Sequence, residues 1–114
     1  MTGDWTGTRL CRLDEIADGA ARGFELGQGT ERLDLFLYRR GTEVVAYVNE
    51  CPHAGTPLDL LPDQFLAADR RHFQCHTHGA MFRIDDGMCV LGPCLGRALT
   101  PVAVRIEDGA LLIA

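Results

Sequence analysis

Two short segments hold the residue types best suited to chemistry. One reads Cys51-Pro52-His53 and the other Cys75-His76-Thr77-His78, with twenty-one residues between His53 and Cys75. Two thiolates and two imidazoles make a mixed donor set that suits tetrahedral zinc or an iron–sulfur cluster. A Cys2His2 zinc finger places both cysteines on one element and both histidines on another. Here each segment carries one of each, which fits a binuclear centre better: both loops send a thiolate to one iron and an imidazole to the other. Small residues follow each pair, Ala54-Gly55 and Gly79-Ala80. Such residues let backbone N–H groups turn inward and donate to inorganic sulfide.

Other candidates lie close by. Neighbouring side chains of an extended segment point to opposite faces. If Cys75 faces a metal, His76 faces away, toward a contact with a redox partner. His72 reads as a solvated strand or loop residue. Cys89 and Cys94, in "GMCVLGPCLG", admit three readings. They are small buried hydrophobes, a reversible disulfide, or members of a four-cysteine cluster with Cys51 and Cys75. The last leaves the histidine spacing unexplained. Cys11, alternating with arginines, reads as a buried structural thiol, and Asp85-Asp86 before Gly87 as a solvated turn.

The elements that must position these residues are short and strand-like. "TRLCRL" (8–13) alternates apolar and polar and precedes the acidic turn "DEIADG". Residues 33–49 read as a β-hairpin turning at Arg39-Arg40-Gly41-Thr42. Residues 99–114 read as a second hairpin, whose Asp108-Gly109 supplies the positive torsions of a tight turn. No segment sustains a 3.6-residue apolar period, and residues 61–71 are expected to hold at most one helical turn. The expectation is one antiparallel all-β domain spanning 1–114, with a base of about 1–49 and 96–114 and an insert of about 50–95. The insert holds all four histidines, four of the five cysteines and four of the five prolines.

Composition narrows the function. At 114 residues the chain can bury a modest single core. A net charge of −5 argues against nucleic acid, whose phosphates need clustered positive charge. No apolar run approaches the roughly 20 residues needed to span a bilayer, and "MTGDWTGTRL" has no apolar core of a signal peptide. Five cysteines without an export signal favour a reducing cytoplasm, with thiols used as ligands or left free.

"CPHAG", "CHTHGAMF" and the loop "LGPCLG" (91–96) together resemble the Rieske [2Fe–2S] family, from roughly residue 8 onward. The resemblance implies a Rieske-like antiparallel β-sandwich base carrying an inserted cluster-binding subdomain. It implies one [2Fe–2S] cluster, with Cys51 and Cys75 on the inner iron and His53 and His78 on the outer, near-surface iron. Ala54, Gly55, Thr56, Thr77, Gly79, Ala80 and Phe82 would surround the cluster, under a loop at Gly92-Pro93. Replacing two thiolates with neutral imidazoles eases reduction, and Rieske centres run from about −150 to +300 mV. High-potential members add a disulfide between the ligand loops and place serine and tyrosine hydroxyls against the cluster. The matching positions here are Thr56 and Thr77, then Ala80 and Phe82, so a low-potential, ferredoxin-like centre is expected.

The implied function is a one-electron carrier between an NAD(P)H-dependent flavoprotein reductase and a terminal oxygenase or other redox protein. A complete oxygenase needs a further mononuclear iron with two histidines and a carboxylate, and only His72 and His76 remain. Alternatives are a small Rieske subunit of a multi-chain oxidoreductase of the nitrite-reductase type, or a Cys2His2 structural zinc module.

Overall fold

The computed structural model describes residues 5–52 and 55–114. Nine strands follow in order: β1 (Arg9–Arg12), β2 (Ala21–Gln28), β3 (Glu31–Arg40), β4 (Glu43–Val48), β5 (His72–Gln74), β6 (Met81–Arg83), β7 (Cys89–Leu91), β8 (Val104–Glu107) and β9 (Ala110–Ile113). They pair antiparallel into three three-stranded sheets, ordered β1-β9-β8, β2-β3-β4 and β5-β6-β7.

β3 explains how the sheets stack. Its run Leu35-Phe36-Leu37-Tyr38 is buried throughout, the mark of a strand covered on both faces. Successive side chains point to opposite faces, so the run feeds two cores. Leu35 and Leu37 join Cys11, Ile16, Ala46 and Leu111 on the side of β1 and β9. Phe36 and Tyr38 join Tyr47, Phe65, Phe73 and Phe82 on the side of β5 and β6. The register agrees: Phe36 lies opposite Tyr47, and Leu37 opposite Ala46.

Phe73 is the centre of the second core. Its ring meets Phe36 edge-on at 4.9 Å, and Tyr38 and Tyr47 each at 5.7 Å. Phe36 also stacks on Phe65 at 4.3 Å. Each aromatic pair contributes about 0.5–1.5 kcal/mol beyond its burial. Phe73 therefore fixes β5 to the central sheet, and β5 ends directly before Cys75.

Both expected hairpins form, at Gly41-Thr42 and at Asp108-Gly109, where φ is +50° and +78°. Residues 61–71 hold no helical turn, within the limit of at most one. Asp63 and Arg70 adopt left-handed φ values of 67° and 58° there, and Leu66 bridges to Phe73. The Asp63 carboxylate accepts the Gly23 N–H at 2.8 Å, tying the segment to β2 instead. The 3-10 turn lies at Leu13–Glu15, inside the acidic turn.

Candidate metal centre

The two ligand loops close in the same way. The Cys51 N–H donates to the Thr56 carbonyl at 2.7 Å, and the Cys75 N–H to the Ala80 carbonyl at 2.8 Å. Gly55 N–H returns to the Cys51 carbonyl, and Gly79 N–H to the Cys75 carbonyl, each at 2.7 Å. Glycine stands four residues after cysteine in both loops because φ there is +73° and +79°, which other residues rarely adopt. This refines the expectation from sequence: those two N–H groups shape the loops and are not free to donate to sulfide. The N–H groups of His78 and Thr77 are the ones aimed at the Cys75 sulfur.

Each loop hangs from a strand. Cys51 follows β4, where Asn49 braces the turn by accepting the Leu58 N–H at 2.8 Å and donating to Asp59 at 3.1 Å. Cys75 follows β5, and its loop returns into β6 through buried Ala80 and Phe82.

The loops bring three donors together. The sulfurs of Cys51 and Cys75 and a ring nitrogen of His78 all lie within 4.8 Å of one another. The Cys75 sulfur is 3.9 Å from His78 Nδ1. Both cysteines are fully buried, and His78 is exposed. Burial pushes the Cys75 thiol up, offset by the His78 N–H and reinforced by the adjacent Cys51 thiol. His53 and Ala54 lie outside the described residues.

His76 and His72 fall outside this group. His76 is half-buried, and its Nε2 is enclosed with no hydrogen-bond partner, so it is not the open surface contact expected from alternation. His72 opens β5 and pairs with Asp69 at 2.7 Å. Cys89 and Cys94 are buried beside the loops but also stay out of the donor group. Burial, then the neighbouring Cys89 and Cys51 thiols, push the Cys94 thiol up to about 12.

The Gly92-Pro93 loop packs on the second ligand loop. A Cβ on Gly92, whose φ is +99°, would lie 2.8 Å from Ala80 Cα, so only glycine permits the approach. Arg97, just after this loop, reaches the first ligand loop and donates to the Pro52 carbonyl at 3.0 Å. Arg97 is a structural link that sequence reasoning missed, because a lone arginine after a turn carries no pattern.

The profile of the Rieske [2Fe-2S] domain matches residues 6–106. The chain belongs to the Rieske [2Fe–2S] domain family. Its cofactor is accordingly a [2Fe–2S] cluster, and the donor set fits one. Two buried sulfurs and an imidazole converge, and the buried Thr56 Oγ1 has no partner among the described residues, which leaves it a donor for sulfide or thiolate. No curated protein sequence matches the chain significantly. Among solved structures, the ferredoxin of carbazole 1,9a-dioxygenase from Nocardioides aromaticivorans IC177 is 24% identical, with a TM-score of 0.74 over 96% of this Rieske chain and 97% of that one. Sphingomonas yanoikuyae B1 ferredoxin is 26% identical, with a TM-score of 0.69 over 94% and 96%. A chain from a complex of reduced oxygenase and oxidised ferredoxin in carbazole 1,9a-dioxygenase is 22% identical, with a TM-score of 0.76 over 97% and 94%. These likenesses agree with the all-β antiparallel fold.

Proposed function

We propose that this chain is a one-electron carrier, a low-potential Rieske-type ferredoxin whose 114 residues form one domain. Its base is residues 1–49 and 96–114, and its cluster-binding insert is residues 50–95. The observation that carries the reading is the convergence of buried Cys51 and Cys75 with the exposed ring of His78. The buried sulfurs suit an inner iron, and the exposed imidazole, with His53, an outer one. When bound, the cluster accepts and releases one electron.

The chain's own residues set the terms of that exchange. Phe73, Phe82, Leu58 and Leu99 are fully or almost fully buried in one core with both cysteines and keep water from the thiolates. The N–H groups of Thr77 and His78 stabilise negative charge on the Cys75 sulfur. Ala80 and Phe82 offer no hydroxyl, and the Tyr47 hydroxyl is committed to the Ile84 carbonyl at 2.8 Å. The lack of those two hydroxyls supports a potential in the lower part of the Rieske range. His78 gives a partner a conjugated edge at the surface.

The likeness to ferredoxins of carbazole 1,9a-dioxygenase supports an oxygenase as electron acceptor. A flavoprotein reductase drawing on NAD(P)H is the proposed donor, and the cytoplasm the proposed compartment. Among the described residues, no helix is long and apolar enough to cross a membrane.

The deciding experiment combines metal analysis, EPR of the dithionite-reduced protein and voltammetry. The expected result is two irons per chain, the EPR signature of mixed histidine and cysteine ligation, and a midpoint below about 0 mV. His78→Ala and Cys75→Ser should each abolish that signature. Zinc in place of iron, or a four-cysteine signal, would overturn the reading.

A further inference from the structure

We propose that Cys89 and Cys94 form a reversible disulfide that pins the Gly92-Pro93 loop against the second ligand loop. Their sulfurs are 3.1 Å apart, and both residues are almost fully buried. Closing to a bond needs an approach of only about 1 Å. The backbone already holds the two together: Cys89 N–H donates to the Arg97 carbonyl, and Arg97 N–H to the Cys94 carbonyl, each at 2.9 Å. The Cys89 thiol also approaches the Leu91 carbonyl at 3.3 Å. This bridge is distinct from the one between ligand loops in high-potential Rieske proteins, whose positions here are Thr56 and Thr77.

The pair sits where a bridge has consequences. Cys89 opens β7, and Cys94 lies beyond the Gly92 that presses on Ala80. A covalent bond across residues 89–94 would restrict the loop that covers Ala80, and through Arg97 its hold on Pro52. It would also consume the Cys94 thiol, which lies next to Cys51. The flanking Leu91 and Leu95 are exposed, so small openings of the loop admit an oxidant.

The oxidant is a low-molecular-weight disulfide such as oxidised glutathione. One cysteine sulfur attacks it, forming a mixed disulfide and releasing one thiol. The second cysteine sulfur displaces the other thiol, forming the Cys89–Cys94 bond. Two protein thiols are oxidised, one small disulfide is reduced to two thiols, and the two protons leave with them.

The pinning effect rests on the Rieske reading of the loops; the bridge itself does not. The test treats the cluster-loaded protein with oxidised glutathione, alkylates it under denaturing conditions and maps the peptides by mass. The expected result is a Cys89–Cys94 link, reversed by dithiothreitol, in a sample that keeps its visible absorbance. Oxidation should then slow cluster loss to an iron chelator several-fold, a difference absent in Cys89→Ser and Cys94→Ser. Full alkylation of both cysteines after treatment, or a Cys51–Cys94 link instead, would overturn the bridge. A bridge with unchanged cluster loss would overturn the pinning. A chain that binds no cluster refutes the Rieske reading, while the peptide map still reads the bridge.

Discussion

Thr56 carries a buried hydroxyl without a hydrogen-bond partner among the described residues, directly in the loop that Cys51 opens. Its backbone is engaged, since its carbonyl accepts the Cys51 N–H. Leaving a buried hydroxyl unpaired costs about 1–3 kcal/mol, so its retention calls for an acceptor that arrives with the cluster. Thiolate or sulfide would be that acceptor, and a hydrogen bond to it would strengthen as negative charge grows on reduction. Thr56→Val should therefore lower the midpoint potential by roughly 40 mV, the one-electron equivalent of about 1 kcal/mol. The same substitution should leave the cluster-free chain equally or more stable in urea, because it removes an unsatisfied group. An unchanged potential in voltammetry would show that the hydroxyl does not reach the cluster. At this scale the sequence named Cys51, Cys75 and His78, which the fold brings together, and placed Thr56 around the cluster, but it held no signal that the Thr56 hydroxyl would be enclosed.

Hairpins were the elements most readable in advance, because their signals are local. Gly41 and Asp108-Gly109 fix the backbone whatever surrounds them, and both turns form as expected. β2 escaped notice, since Gly23 and Gly27 interrupt its apolar pattern and its partner is β3 throughout. Gly23 packs against a distant ring: a Cβ there would stand a tight 3.1 Å from Phe65. Segment 61–71 offered only an upper limit for a related reason, as its shape is set by Asp63 bonding β2 and not by its own propensity. Tyr47 shows the same long-range logic in β4. Burial, then Asp86 and Asp85, raise its hydroxyl from 10 to about 12. The folded chain thus keeps a proton that the unfolded chain releases, so this contribution is complete below pH 10 and is lost as pH rises toward 12. The loss amounts to roughly 2 kcal/mol. No lysine titrates in that window, since every basic residue is arginine. Tyr47→Phe should lower stability by about 1 kcal/mol at pH 8, through the lost bond to Ile84, and flatten the decline between pH 10 and pH 12. Urea midpoints of both proteins across that range check it; parallel declines would place the alkaline loss elsewhere.

Charge is distributed unevenly over the molecule. Arg40, Arg70, Arg71 and Arg83 line one depression with His72 and Asp85, where Arg40 pairs with Asp85 and Arg83 with Asp86. His72 pairs with Arg83 at one end of the β5–β6 ladder, whereas Cys75 and Ala80 close the other. With four of the eleven arginines gathered away from the ligand loops, the rest of the chain is more acidic than the net −5 indicates. Such a field attracts cationic partners at a distance and is screened by salt, over about 30 Å at 0.01 M and about 10 Å at 0.1 M. Electron transfer from the reduced protein to cytochrome c, a cationic acceptor, should slow roughly tenfold as ionic strength rises across that range. Transfer to ferricyanide, an anion, should quicken instead. Stopped-flow mixing of the dithionite-reduced protein with each acceptor reads both slopes directly. Opposite slopes would mean that the acidic remainder steers encounter at the cluster end, and equal slopes would mean that the arginine depression cancels it there.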